Sequence, residues 1–253
     1  MKNNFFNKSP IINVLEKPKK NSNVSSQILY GERFKVLSKN KNFYKVENCY
    51  DNYIGYISKK IKLETLFNPS HKIKTLKSQI YFGTNKTKKM SLKQYLPFGS
   101  KLKIIKKNKS FIMFEKNRWI KFKDTCIISK KEKNFIKILK LFINCPYKWG
   151  GKTFEGIDCS ALLQIYYKYN NKYFPRDTID QIKQKKGYKY KKNFKKGDII
   201  FWKGHVAICL NSKKLIHAYG PEKKVLMMPI IKTIKKIKET ANLEVEKIAR
   251  IQF

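Results

Sequence analysis

Residues 145–169 read CPYKWGGKTFEGIDCSALLQIYYKY, a segment of glycine and proline that runs into an apolar series with steps of three and four residues. Those steps are typical of one face of a helix, and Cys159 lies in its first turn. Unpaired N–H groups and the positive end of the helix dipole stabilise negative charge at that position. We therefore expect a lowered pKa for the thiol of Cys159, which makes it a candidate nucleophile.

A cysteine nucleophile needs a base, and the chain has only three histidines. His71 lies in a lysine-rich stretch, whereas His205 and His217 lie in apolar segments on either side of a polar break at residues 211–214, a pattern typical of a β-hairpin. A loop with an odd number of residues brings both imidazoles to one face, and an even number separates them. In the favourable register we expect His205 to take the thiol proton of Cys159 and His217 to orient His205.

Each of these residues has a purely structural interpretation. A cysteine in the first turn of a helix is often a small buried apolar residue, and a histidine in a strand often belongs to a core or a surface. The combination favours catalysis, because Gly150, Gly151, Gly156 and Gly204 allow backbone turns beside both the thiol and the base.

Four sequence blocks occur in an order that resembles the NlpC-type family of papain-like bacterial cell-wall peptidases. They are residues 146–151, 158–160, 197–208 and 215–218. The similarity covers about residues 130–253, and it implies a small papain-like α+β domain with Cys159 as nucleophile, His205 as base and His217 as third polar residue. Residues 175–178 are only a loose version of the family's Pro-Arg-Thr-Ser segment, which weakens the case for a role of Arg176.

The resemblance also implies a substrate. The family cleaves peptidoglycan peptides, usually between γ-linked D-glutamate and a diamino acid. Members that require a free N-terminal L-alanine hold its amine with residues that correspond here to Tyr147 and Asp158, with Ser160 as a helper. The residues alone leave Asp158 equally suited to cap the helix, and a carboxylate there raises the pKa of a neighbouring thiol unless a cation neutralises it.

The first half of the chain contains an internal repeat. Residues 31–46 align without gaps on residues 99–114, and each copy continues into an aromatic strand, which predicts two small barrels of short strands. They resemble the bacterial SH3-like domains that often precede NlpC-type peptidases, where they narrow the catalytic cleft; a passive spacer is the alternative. The predicted fold class is α+β, with SH3-like β-barrels at 1–66 and 67–129 before the catalytic domain at 130–253.

Residues 130–144 combine apolar residues with lysines in a pattern typical of a basic amphipathic helix. Such a helix can lie on a membrane surface. Because it leads directly into the block that begins at Pro146, we interpret it as the first helix of the catalytic domain.

The net charge of +41 first suggests nucleic acid as a partner. However, only four of the 58 basic residues are arginine, and the lysines are spread along the chain, so no specific nucleic acid is expected. The charge still favours anionic substrates such as muropeptides. Five cysteines form no paired framework and none has the spacing of a zinc site, so neither a metal nor another cofactor is predicted.

The first residues, MKNNFFNKSP, lack the apolar core of a signal peptide, and no apolar stretch reaches the length of a membrane span. We therefore expect a cytoplasmic enzyme that trims recovered wall peptides, with reduced thiols. The predicted activity is that of a cysteine endopeptidase acting through an acyl-enzyme. Two alternatives remain open: an amidase or acyltransferase that uses the same site, and a non-catalytic module that binds wall fragments or nucleic acid.

Overall fold

The computed structural model describes residues 4–61, 63–83, 90–184, 186–188 and 193–251, so residues 1–3 of the N-terminal segment discussed above lie outside it. The chain forms two compact units, Met1–Lys131 and Glu132–Phe253.

The N-terminal unit is built from short antiparallel strands. They are β1 (Asn4–Phe6), β2 (Ile11–Leu15), β3 (Val24–Leu29), β4 (Arg33–Lys39), β5 (Phe43–Asn48), β6 (Ile54–Ser58), β7 (His71–Ile73), β8 (Lys77–Phe82), β9 (Met90–Pro97), β10 (Lys101–Leu102), β11 (Lys106–Lys107), β12 (Phe111–Glu115), β13 (Arg118–Lys121) and β14 (Thr125–Ile127). The first six strands form one sheet in the order β1-β4-β5-β6-β2-β3. The others form a sheet of order β10-β7-β14 and a sheet of order β11-β12-β13-β8-β9.

The repeat seen in the sequence recurs in the backbone. Gly31 and Gly99 occupy equivalent positions before β4 and β10, and both have a left-handed φ, +76° and +81°, which favours glycine. The side chains of Asn40 and Asn108 each accept a hydrogen bond from the backbone N–H three residues ahead, at 2.8 and 2.7 Å. The same turn chemistry therefore precedes β5 and β12.

One side chain joins the two copies. Tyr30 follows β3 of the first copy, yet it is fully buried in the core of the second with Leu102, Ile112 and Phe114. Its hydroxyl donates a hydrogen bond to Glu115 Oε1 at 2.8 Å. The second core is thus completed by a residue of the first copy, which suits small barrels that bury little apolar surface on their own.

The C-terminal unit combines helices with one large sheet. Its elements are α1 (Phe135–Lys140), β15 (Lys152–Thr153), β16 (Gly156–Ile157), α2 (Cys159–Tyr169), α3 (Thr178–Gln184), β17 (Gly187–Tyr188), β18 (Asp198–Trp202), β19 (His205–Cys209), β20 (Lys214–Tyr219), β21 (Lys224–Pro229), α4 (Ile230–Ala241) and β22 (Lys247–Arg250). The sheet has the order β17-β22-β18-β19-β20-β21. Helix α2 packs against strands β19 and β20 of this sheet.

Two helices differ from the sequence-based expectation. Helix α1 covers only Phe135–Lys140 of the predicted stretch, and Asn144 adopts a left-handed φ of 65° just beyond the turns that follow it. In α2, ten of the 11 residues are buried, so the helix lies inside the domain and does not present one apolar face only. Across the described part of the chain, no helix has the length and apolar character of a membrane-spanning segment.

Candidate active site

The hairpin brings the two predicted histidines together. Strands β19 and β20 pair Cys209 with Leu215, which leaves the five residues 210–214 between them. The favourable odd register is therefore confirmed. His205 Nε2 lies 2.9 Å from His217 Nδ1, at hydrogen-bond distance.

His217 is fully buried, whereas His205 is half-buried. The ring of His217 stacks on that of Tyr219 with 4.7 Å between centroids, and its Nε2 lies 3.3 Å from the Sδ of Met228. We call His205, His217 and Met228 the imidazole chain. Burial lowers the pKa of His205 to about 4. Burial, with the charges of His205 and Lys236, lowers the pKa of His217 well below its usual value, so both rings are neutral at neutral pH.

Cys159 is the first residue of α2, and its sulfur lies beside the start of β19. The sulfur is 4.0 Å from the carbonyl oxygen of Gly204. Hydrogen bonds from the backbone N–H of Val206 and Ser160 and from the hydroxyl of Thr178 favour its thiolate. Because Val206 follows His205 directly, the fold brings the thiol to the imidazole chain.

The expected lowering of the Cys159 pKa was wrong. Burial, together with the negative charge of Asp158, raises the pKa of this thiol to about 11 despite the three hydrogen bonds. The cysteine is only 4% exposed, so a thiolate there loses its hydration. That loss outweighs the electrostatic stabilisation that the N-terminus of the helix provides. The resting thiol is therefore protonated, and a base has to remove its proton during attack.

Asp158 is the N-cap of α2 and the centre of a second polar cluster. Its Oδ1 accepts hydrogen bonds from the N–H of Ala161 at 2.8 Å, the hydroxyl of Ser160 at 3.1 Å and Arg176 at 3.0 Å. Its Oδ2 accepts from the N–H of Gly150 at 2.9 Å and from Arg176 at 2.5 Å. We call Asp158, Ser160 and Arg176 the carboxylate network.

Sequence reasoning gave too little weight to Arg176, a buried neighbour of Asp158. Its side chain is 2% exposed, forms a bidentate pair with Asp158 and also donates to the Ser160 hydroxyl at 2.9 Å. Gln181 of α3 fixes the segment around it by donating to the carbonyls of Ser160 and Pro175, at 3.0 and 2.9 Å. The available signal was that arginine is rare in this lysine-rich chain.

Tyr147 lies near Cys159 and the carboxylate network. The side chain is half-buried, and its backbone N–H donates to the carbonyl of Lys223 at 2.8 Å. Burial and the charges of Cys159 and Asp158 raise the pKa of its phenol well above the usual value. The structure thus brings Tyr147 close to Cys159 and Asp158, while His71 lies on β7 of the N-terminal unit.

Two parts of the chain match known domain families. Residues 144–240 match the NlpC/P60 family, and residues 14–60 match the bacterial dipeptidyl-peptidase SH3 domain. A γ-D-glutamyl-L-lysine dipeptidyl-peptidase of Bacillus subtilis is 29% identical over 128 residues, 46% of this chain and 43% of that protein. A dipeptidyl-peptidase 6 of Lysinibacillus sphaericus is 35% identical over 89 residues, 34% of this chain and 31% of that protein. The chain thus spans less than half the length of these curated relatives.

The fold is also found in solved structures. An NlpC/P60 family protein from Bacillus cereus superposes with a TM-score of 0.81 at 18% identity, over 98% of this chain and 99% of that one. An NlpC/P60 endopeptidase from Photobacterium damselae gives a TM-score of 0.60 at 14% identity, over 96% of this chain and 70% of that one. These matches confirm the predicted fold class. Residues 144–240 therefore form an NlpC/P60 domain with a papain-like fold, and residues 14–60, earlier in the chain, form a bacterial dipeptidyl-peptidase SH3 domain.

Proposed function

We propose that this chain is a cysteine peptidase that hydrolyses the bond between γ-D-glutamate and a diamino acid in peptidoglycan-derived peptides with a free N-terminal L-alanine. The observation that carries the proposal is the imidazole chain beside the thiol: His205 Nε2 lies 2.9 Å from His217 Nδ1, at the end of β19 that contacts Cys159. A nucleophile, a base and an orienting group in this order suit acyl transfer.

The names of the relatives support the reaction class and the bond. Two of them, from Bacillus subtilis and Bacillus cereus, are named γ-D-glutamyl-L-lysine dipeptidyl-peptidases. The names specify L-lysine as the diamino acid, and we extend the proposal to diaminopimelate. Both substrates therefore belong in the test.

The raised pKa of Cys159 decides how the attack proceeds. Because the resting thiol is protonated, His205 takes its proton as the sulfur bonds to the γ-glutamyl carbonyl carbon. The backbone N–H of Cys159, in the first turn of α2, supplies an oxyanion donor. His205 then protonates the leaving amine of the diamino acid, and water that His205 deprotonates releases the L-alanyl-γ-D-glutamate from the sulfur.

Tyr147, Asp158 and Ser160 are the proposed binding residues for the free amine of L-alanine. The carboxylate of Asp158 already accepts five hydrogen bonds from the protein. An ammonium group there has to share the charge of Asp158 with Arg176, so the phenol of Tyr147 is expected to supply much of the selectivity. Acetylation of the L-alanine amine should then abolish cleavage, and equal cleavage of free and acetylated peptides would contradict this part of the proposal.

Digestion of a mixed muropeptide set, with the products identified by mass spectrometry, tests the whole proposal. L-Alanyl-γ-D-glutamate and the shortened peptide should accumulate with the native chain and should be absent with Cys159→Ala. Loss of only ammonia from side-chain amides, or acyl transfer to an added amine, would show a different reaction at the same thiol. No product from any muropeptide, with Cys159 intact, would overturn the proposal.

A reducing compartment suits this chemistry, because the reaction needs Cys159 as a free thiol. Cys159 is a free thiol in the structure. We propose a cytoplasmic role in trimming recovered wall peptides, which fractionation of cells producing the tagged protein tests directly.

A further inference from the structure

The two histidines of the imidazole chain hold one ring proton each in their neutral forms, so two arrangements of these protons are possible. In one, His205 Nε2–H donates to His217 Nδ1, and the free lone pair of His205 lies on Nδ1. In the other, His217 Nδ1–H donates to His205 Nε2, and the proton of His205 lies on Nδ1. Since Nε2 of His205 is engaged with His217, only Nδ1 remains to serve the thiol. Only the first arrangement leaves His205 able to accept the proton of Cys159.

Met228 distinguishes the two arrangements. Its Sδ lies 3.3 Å from Nε2 of His217, and a thioether sulfur accepts hydrogen bonds but donates none. A proton on Nε2 of His217 therefore has a partner, whereas a lone pair at that nitrogen would face the lone pairs of the sulfur. The fully buried His217 has no bulk water to compensate for that contact.

We propose that Met228 is a positioning residue that fixes the productive proton arrangement of both histidines. The inference rests on the proposed function only for its catalytic consequence. Met228 reaches the ring from β21, where Leu226 is the residue paired with His217 and Met228 lies two positions further on, on the same face. Leu226 has no acceptor atom, so the sulfur of Met228 provides the acceptor that this strand presents to Nε2.

The test compares Met228→Leu, which keeps the volume and removes the acceptor, with Met228→Gln, which provides an amide oxygen. Met227→Leu is the matched control, because the neighbouring Met227 is 42% exposed and alternates to the other face of the strand. Ring ¹⁵N shifts from long-range ¹H–¹⁵N spectra at neutral pH report which nitrogen of each histidine is protonated, without substrate. His71 in the N-terminal unit serves as an internal reference.

We expect Nε2–H on both His205 and His217 in the native chain and in Met227→Leu. Met228→Leu should contain a mixture of the two proton arrangements, in which part of the protein has Nδ1–H on both rings. For this variant, kcat for the γ-D-glutamyl peptide should fall about tenfold at unchanged KM, because the buried N–H of His217 loses its acceptor. Met228→Gln should restore both the native shifts and most of the activity.

Native ring protonation in Met228→Leu would overturn the inference, even if its activity fell. The inference would also be overturned if the ring ¹⁵N shifts of Met228→Gln were no closer to the native shifts than those of Met228→Leu. Should the leucine variant fail to fold, the native spectrum decides, because Nδ1–H on His217 excludes the proposed arrangement. A native chain with Nε2–H on both rings and no activity on muropeptides would leave the positioning intact and overturn the proposed function instead.

Discussion

The carboxylate network and the imidazole chain both adjoin Cys159, and they differ in charge and in the strength of the hydrogen bonds that their atoms form. In the first, Asp158 and Arg176 are both charged and buried, and the carboxylate accepts five hydrogen bonds. In the second, His205 and His217 are neutral, and the chain ends on a weak thioether acceptor. A saturated ion pair fixes structure, whereas neutral, weakly held imidazoles can accept a proton. We therefore expect loss of Arg176 from the first cluster to lower mainly stability, and loss of either histidine from the second to lower mainly activity.

The largest effect is expected at the thiol of Cys159, which both clusters adjoin. Cys159→Ala should reduce kcat/KM for L-Ala-γ-D-Glu-diaminopimelate by about 10⁴-fold or more, because no acyl-enzyme can form. Cys126→Ala, in the N-terminal unit, should retain native activity. The measurement is release of the diamino acid under single-substrate conditions, with the folded state checked by circular dichroism. Retained cleavage by Cys159→Ala would refute the assignment of Cys159 as the nucleophile.

The next effect concerns stability. Arg176→Met should lower the free energy of unfolding by about 3–5 kcal/mol, because it leaves the buried carboxylate of Asp158 without its cation. Lys183→Met is the matched control, since Lys183 pairs with Asp180 on the exposed surface of α3 and should cost about 0–1 kcal/mol. Urea unfolding with both variants measures the difference. Equal stabilities for the two variants would show that the carboxylate network does not hold the fold.

A smaller effect is expected within the imidazole chain. His217→Ala removes the acceptor of the His205 Nε2–H and should lower kcat about 10- to 100-fold, with the unfolding transition changed less than in Arg176→Met. His217→Asn, which restores an acceptor oxygen, should be milder, and His205→Ala should be more severe because the base itself is lost. Steady-state kinetics of the native chain and these three variants tests this order. A greater loss from His217→Ala than from His205→Ala would reverse their roles.

Features set by short-range spacing were predictable from the sequence. The break between the two strands of the hairpin has a fixed number of residues, so spacing limited His205 and His217 to two registers. The start of α2 was readable because Asp158 is a preferred N-cap residue directly before an apolar helical series. The barrel repeat was visible because each copy needs the same turn glycine, Gly31 or Gly99.

Features that depend on distant packing were not predictable. Arg176 meets Asp158 only after α3 folds against α2, and no local pattern encodes that contact. Tyr30 belongs by sequence to one barrel and by packing to the core of the other. The thiol of Cys159 was misjudged for the same reason: the helix end is a local effect, while the burial that outweighs it comes from the whole domain.

The smallest effect is expected in the pH dependence of activity. This dependence distinguishes a neutral thiol and imidazole at Cys159 and His205 from a preformed thiolate–imidazolium pair. His205 has to be neutral to act as a base, so activity should fall as pH drops through its pKa of about 4, and the thiol ionises only near about 11. Between about pH 5.5 and 7, below the pKa of about 8 of the substrate's own α-amino group, kcat/KM should change less than about twofold. Alkylation of Cys159 by iodoacetamide should instead rise steadily over the same range, because it needs the thiolate.

Cys159→Ala supplies the alkylation background from the other cysteines, and free cysteine, with an ordinary pKa of about 8.5, supplies the reference curve. Rapid alkylation that is already maximal near pH 6 would mean that thiolate and imidazolium coexist at rest. In that case burial does not keep the two groups neutral, and the imidazole chain holds a charge as the carboxylate network does. A flat kcat/KM profile beside a rising alkylation profile requires proton transfer during attack, which only the neutral cluster can perform.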